Sequence, residues 1–178
     1  MANTRATLPD FPEYYMSIAF AVRKRANCKG FKVGAVLVVK NRVVSTGYNG
    51  VPEGMTNCLD GGCDRCGQPE KYQSGVGYDV CICVHAEENA LLSAARFGMA
   101  VDRATIYTTV KPCFGCMKEL HQAGVEAVRF HKEWAHPDAG LASQYRALEN
   151  KFSAGVKRVE LQDVDDPVLI YPPKSPKS

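Results

Sequence analysis

The sequence predicts an α/β fold built on a mixed five-stranded sheet with helices on both faces, and three observations predict it. Short β-branched runs alternate with stretches of helical spacing along most of the chain, the order expected of a mixed sheet. Hydrophobic residues make up 46% and charged residues 23% of 178 residues, which is enough for one buried core and ordinary for a soluble globule. The residues suited to hold a metal fall at helix starts beyond strand ends, where α/β ligand sites usually lie.

Each element has its own reason. Residues 1–10 offer little to bury and are expected to fray, residues 11–163 form one domain, and residues 164–178 are a tail. Pro12 suits a first helical turn, and Tyr15, Ile18, Ala19 and Val22 recur at helical spacing up to about residue 27. Arg23, Lys24 and Arg25 lie near the end of this helix, where cations suit the dipole, and they read as a solvated helix end rather than a phosphate site. Residues 33–39 and 43–46 are β-branched runs joined by Lys40-Asn41-Arg42, a short hairpin connection. Residues 50–84 have little periodic pattern and make an unusually long connection. A helix opening at His85 runs to about residue 97, with Ala86, Ala90, Leu91, Ala94 and Ala95 allowing close packing on a sheet before Gly98 stops it. Residues 104–110 form the third strand. Residues 113–123 form the next helix, with Cys116, Leu120 and Ala123 on its buried side and Gly124 as its cap. Residues 125–130 are the fourth strand, 138–152 a further helix and 156–161 the last strand.

Composition excludes several classes. A net charge of +3 is too small to predict broad nucleic-acid affinity, and the basic end beginning at Lys174 reads as a solvated tail. No apolar run approaches the ~20 residues of a membrane span, and the first ten residues lack a signal-peptide core, so a cytoplasmic location is expected. In a reducing compartment the eight cysteines point to metal binding before disulfides.

Chemistry concentrates in His85-Ala86-Glu87 and in Pro112-Cys113-Phe114-Gly115-Cys116. One imidazole and two thiolates are three zinc ligands, and a catalytic zinc site keeps its fourth position for water, whose pKa it lowers towards ~7. Cys113 and Cys116 are three apart, on one face of a helix whose electropositive start favours thiolates. Glu87 is two residues from His85 and so faces away from the metal direction, which fits a proton shuttle better than a fourth ligand.

His-x-Glu followed by Pro-Cys-x-x-Cys is the signature of zinc deaminases of nucleobases. Together with Val33-Gly34-Ala35-Val36, Gly47-Tyr48-Asn49-Gly50-Val51-Pro52 and His85-Ala86-Glu87-Glu88-Asn89-Ala90, it makes the chain resemble the cytidine deaminase superfamily, and within it the deoxycytidylate (dCMP) deaminase branch, over residues 11–160. The resemblance implies a three-layer α/β/α sandwich and zinc-dependent hydrolysis of dCMP to dUMP and ammonia, supplying thymidylate synthesis. It implies that Glu87 moves the protons, that the Ala86 backbone amide meets the pyrimidine carbonyl, and that Asn49 lies near the sugar. From the residues alone, Asn49 and Gly50 read as turn formers. The resemblance further implies homo-hexamers activated by dCTP, with Mg2+, and inhibited by dTTP at a site near Gly47, Tyr48, Asn49 and Gly50.

Six cysteines remain: Cys28, Cys58, Cys63, Cys66, Cys81 and Cys83. Four thiolates would close a structural zinc site, whose binding free energy of ~10 kcal/mol or more could order the long connection. Resemblance favours Cys28, Cys58, Cys63 and Cys81, with Cys66 and Cys83 as rivals. The residues themselves leave open that several are small buried side chains. His131, Lys132, Trp134 and His136 could wall a base and meet a phosphate, or form a polar loop around one packed Trp, and spacing leaves both open. His121 reads as a surface histidine. Rival readings are a deaminase of another nucleoside, nucleotide or tRNA adenosine, a zinc-stabilised binding module, and a redox Cys-x-x-Cys protein.

Overall fold

The computed structural model describes residues 8–72 and 74–161. The tail at 164–178, with Lys174, lies outside them. Helix α1 (Phe11–Arg23) starts from Asp10, whose carboxylate accepts from the Glu13 amide at 2.8 Å while the Glu13 carboxylate accepts from the Asp10 amide at 3.3 Å. This reciprocal cap draws Asp10 out of the stretch expected to fray. The helix ends at Arg23 rather than 27 because Lys24, Arg25 and Ala26 donate to carbonyls three residues back, tightening the last turn.

Strands β1 (Gly34–Val39) and β2 (Arg42–Tyr48) form a hairpin with Val39 opposite Arg42. Its connection is therefore two residues, Lys40 and Asn41, both at positive φ (47° and 58°), and Arg42 is already paired. That handedness matches the twist of the flanking strands. Helix α2 (Asp64–Gly67) is one short turn within the long connection, and α3 (Ala86–Arg96) follows it. Strand β3 (Thr105–Val110), helix α4 (Phe114–Gln122), strand β4 (Ala127–Lys132), helix α5 (Ala142–Glu149) and strand β5 (Val156–Arg158) complete the chain. The last helix and strand are shorter than their patterns predict.

The sheet runs β2-β1-β3-β4-β5, antiparallel across β2-β1-β3 and parallel across β3-β4-β5. Successive β1 side chains point to opposite faces. Ala35 and Leu37 join Ala86, Ala90, Ile106, Met117, Leu120 and Tyr145 under α3, α4 and α5. Val36 and Val38 join Tyr15, Met16, Ala19 and Tyr107 under α1. The three-layer, five-stranded α/β architecture is thus the one the sequence predicts. Among the described residues no helix is long and apolar enough to cross a membrane.

Gly47 fixes how closely α3 approaches the sheet. A Cβ there would lie 2.1 Å from the Ala86 carbonyl oxygen and 2.4 Å from the Ala90 amide nitrogen. Both are backbone atoms, which cannot rotate away. Gly47→Ala is therefore expected to lower stability by about 1–3 kcal/mol, the usual cost of overpacking. Chemical denaturation should show it, with Gly67→Ala as the near-neutral control, because a Cβ at Gly67 meets nothing within 4 Å.

Candidate active site

His85 and Cys113 occupy equivalent places, each the extended residue immediately before a helix, at α3 and α4. The two helix starts meet over one face of the sheet. His85 Nδ1 lies 3.3 Å from Cys116 Sγ and 3.4 Å from Cys113 Sγ, and the two sulfurs are 3.5 Å apart. No disulfide joins them. One imidazole nitrogen and two sulfurs at these separations fit the three protein ligands of a catalytic zinc site.

Neighbouring groups hold this arrangement. The Glu88 carboxylate accepts from the His85 amide at 2.8 Å, tying down the start of α3. Tyr78 stands edge-on to the His85 ring with centroids 4.8 Å apart. The Tyr145 hydroxyl donates to the Pro112 carbonyl at 2.6 Å, and burial raises its pKa well above the usual tyrosine range, so it remains a donor. Lys111 anchors the same turn through an ion pair with Glu149 at 2.6 Å.

The electrostatics are those of three donors crowded against one another in a largely buried site. Cys113 is pulled down to about 4 by the Cys116 thiol beside it; burial opposes this and His85 assists. Cys116 is driven well above the usual thiol range by Cys113 and by burial. Burial works against charge on His85, but contact with Cys113 and the charges of Cys113, Glu87 and Glu88 outweigh it and raise the ring to about 9.

Glu87 is only 4% exposed. Burial raises its pKa above the usual carboxylate range, against the opposing charge of His85 and the Thr108 hydroxyl. Thr108 Oγ1 lies 2.8 Å from Glu87 Oε1 and 3.0 Å from the Val110 carbonyl oxygen. Sequence reasoning missed Thr108. Its one signal is a polar position in a strand, on the same face as Ile106 two residues before it.

A cleft of ≈ 430 Å³ opens at His85 and Cys113, with Cys116 buried behind them, and is walled in part by Tyr78, Phe114, Trp134 and His136. The group expected after the fourth strand therefore divides. Trp134 and His136 face this cleft. His131 and Lys132 belong to β4 and line a second cavity with Arg23, Lys32 and Arg158. His121 is exposed, as predicted.

The Gly47-Tyr48-Asn49-Gly50 stretch works on the backbone. Asn49 accepts from the Val33 amide at 2.8 Å and donates to the Phe31 carbonyl at 2.6 Å. Asn89 donates to the Tyr48 carbonyl at 2.7 Å, and a Cβ on Gly50 would lie 2.5 Å from Asn27 Oδ1. Ala86 is fully buried at the first position of α3, where an amide has no acceptor within its own helix.

The other six cysteines form a separate cluster, all of them free thiols. The structure does not gather Cys28, Cys58, Cys63 and Cys81 into the quartet expected from the resemblance. Cys28 and Cys58 meet Cys66 and Cys83, while Cys63 and Cys81 meet the same Cys66 and Cys83. The path of the long connection brings the two rivals to the middle, where each faces both outer pairs.

Comparison with known proteins agrees with this geometry. The family model for the cytidine and deoxycytidylate deaminase zinc-binding region matches residues 9–132. A deoxycytidylate deaminase of Schizosaccharomyces pombe is 40% identical over 147 residues, 83% of this chain but 44% of that protein, so the chain spans about half the length of this relative. The deoxycytidylate deaminase of Mycobacterium phage D29 is 39% identical over 133 residues, 70% of this chain and 97% of the phage protein. Among solved structures, the dCMP deaminase of cyanophage S-TIM5, crystallised in complex with dCMP and dUMP, superposes with a TM-score of 0.63 at 27% identity, covering 86% of this chain and 99% of that one. With His85, Glu87, Cys113 and Cys116 all inside the matched stretch, the chain belongs to the cytidine and deoxycytidylate deaminase zinc-binding family.

Proposed function

We propose that this chain hydrolyses dCMP to dUMP and ammonia. The observation that carries the reading is the buried Glu87 carboxylate beside the His85, Cys113 and Cys116 donors, with a hydroxyl partner of its own in Thr108. The phage relative named for dCMP deamination, and the cyanophage structure holding dCMP and dUMP, point to the same substrate.

Zinc held by His85, Cys113 and Cys116 supplies Lewis-acid activation of a water at neutral pH. The protein's own groups do the rest. Glu87 accepts the proton that the attacking water gives up and passes it to the ring nitrogen; it then takes the second proton from the hydroxyl newly bound to the ring carbon and delivers it to the departing amine as the carbonyl forms. Its raised pKa suits this, because a buried carboxyl keeps a proton between the two transfers. Thr108 has one hydroxyl proton and two acceptors. It donates to Glu87 while that group is a carboxylate. Once Glu87 is protonated, it can give its proton towards Thr108, which then turns to the Val110 carbonyl. Trp134 and Phe114 offer flat walls for a pyrimidine. The Ala86 amide, in the first turn of α3 without an acceptor in its own helix, is the donor for the pyrimidine carbonyl in this reading. Asn49 has one N–H and one lone pair beyond its two backbone bonds, enough for a sugar hydroxyl.

Ammonia release by the zinc-loaded protein, presented separately with dCMP, CMP, dCTP, deoxycytidine and a tRNA, tests the substrate. Turnover should be strongest with dCMP. Stronger turnover of another compound, or none at all, overturns the reading. Glu87→Gln should lower kcat at least ~100-fold, the order expected for loss of an acid–base group, while zinc content stays at the wild-type value.

Thr108→Val keeps the shape and removes the hydroxyl. A hydrogen bond to a charged group is worth about 1.5–3 kcal/mol, so kcat should fall roughly 10- to 100-fold with KM little changed. Thr108→Ser should recover most of the loss. Wild-type kcat in Thr108→Val with a loss in Thr108→Ser would show that the methyl group's packing matters and the hydroxyl does not.

A further inference from the structure

We propose that Cys28, Cys58, Cys63, Cys66, Cys81 and Cys83 form a two-zinc cluster in which the Cys66 and Cys83 thiolates bridge both ions. This goes beyond the deaminase reading and does not depend on it. The sulfurs fall into two quartets, Cys28, Cys58, Cys66, Cys83 and Cys63, Cys66, Cys81, Cys83, and within each quartet all sulfurs lie within 4.8 Å of one another. Two members are common to both.

The spacings fit zinc. Four sulfurs each about 2.3 Å from a tetrahedral zinc ion lie about 3.8 Å from one another. Cys28 and Cys66 are 3.5 Å apart, Cys66 and Cys81 3.6 Å, and Cys63 and Cys81 3.8 Å. Cys66 and Cys83, the shared edge, are 4.0 Å apart. These are too long for disulfides, whose sulfurs lie about 2.05 Å apart, and short enough for sulfurs facing a common ion.

Counting ligands favours two ions. One ion in either quartet leaves two buried or half-buried thiols, Cys63 with Cys81 or Cys28 with Cys58, pressed against a filled site. Two ions use all six sulfurs. Four terminal and two bridging thiolates then complete two four-coordinate centres. Charge points the same way, because two zinc ions with six thiolates carry the same net charge as one zinc ion with four. Loading converts six thiols to thiolates with release of six protons and no redox change. The Lys29 amide donates to Cys58 Sγ at 3.2 Å and the Gly30 amide to Cys28 Sγ at 3.3 Å, which offsets part of the remaining negative charge.

The fold explains why such a cluster is needed. Met55, Leu59, Val76, Val80 and Ile82 in the long connection are all exposed, while Cys58, Cys63, Cys66 and Cys83 are buried. Sulfur occupies the interior that apolar side chains would otherwise fill. Cys83 is two residues from His85, and the intervening Val84 pairs with Gly50. The cluster thus anchors the segment that delivers the first active-site ligand.

The test is metal stoichiometry of the full chain. Native mass spectrometry and elemental analysis of zinc-equilibrated, desalted protein should give three zinc ions per chain. Two zinc ions would overturn the proposal, as would a single zinc ion with disulfides, or iron with inorganic sulfide. In a Cys113→Ala/Cys116→Ala variant the count should fall to two, independently of any substrate. A count of one would also overturn it. Bridging is read in that variant with cobalt(II). Ions sharing thiolates couple antiferromagnetically, so paramagnetic resonance intensity per cobalt at two equivalents should be below that of isolated high-spin cobalt(II). Full intensity per cobalt would mean two unbridged ions.

Discussion

Three donor atoms from two helix starts must meet within about the width of one metal ion, and the rest of the structure depends on that. Metal-ligand distances tolerate errors of only ~0.2 Å, so both helices have to be held in register with each other. For α3, the absence of a side chain at Gly47 lets the helix press on β2. The Ser45 hydroxyl donating to the Ala90 carbonyl at 2.7 Å and the Asn89–Tyr48 bond then fix its height along the strand. For α4, the Lys111 amide donating to the Lys132 carbonyl at 2.8 Å and the Tyr145–Pro112 bond set the turn that ends in Cys113. Both helices direct their electropositive ends towards the thiolates. At Cys113 the helix start and the lowered pKa favour the same thiolate, whereas at Cys116 the neighbouring Cys113 and burial oppose it.

A chain with this constraint must also control the segment leading into His85. A long connection without apolar periodicity cannot bury enough surface to order itself. There the buried cysteine sulfurs stand where apolar side chains would otherwise pack. Their reach is not confined to the loop. The Asn27 amide donates to Asn57 Oδ1 at 2.9 Å, and the Gly50–Val84 pairing ties the end of β2 to the residue before His85. The cysteine cluster and the site at His85 thus lie in succession along one stretch of chain.

The sequence revealed most where ligands lie within one helical turn. Cys113 and Cys116, with Pro112 ahead of them, need only local geometry to be read, and the periodicity of the β-branched runs was sufficient for the sheet. It revealed least where partners are distant. The identity of the shared cysteines depends on how 50–84 folds back on itself, and neither spacing nor resemblance encodes that path. The hairpin was read one residue too long because Lys40 and Asn41 adopt positive φ without glycine, so the turn lacks its usual marker. Asn49 could be read either as a turn former or as a sugar contact. Its observed bonds to Phe31 and Val33 are a third use, joining β2 to the segment that enters β1.

Thr108 shows why some supporting residues stay hidden. Threonine is a good strand former, so in Thr-Ile-Tyr-Thr-Thr-Val it reads as an ordinary β residue. Yet a fully buried hydroxyl must find partners, and β3 lies at the centre of the sheet, where its backbone groups are already paired with β1 and β4. The hydroxyl is left for side-chain work. Its neighbour Thr109 accepts from the Gly34 amide at 3.2 Å, while Thr108 turns to Glu87. Adjacent residues of one type therefore serve different needs, one holding the start of β1 and the other the buried Glu87 carboxylate. A residue that satisfies strand propensity and also partners a buried carboxylate leaves no local conflict in the sequence, and that second use emerges only when the fold supplies the carboxylate opposite it.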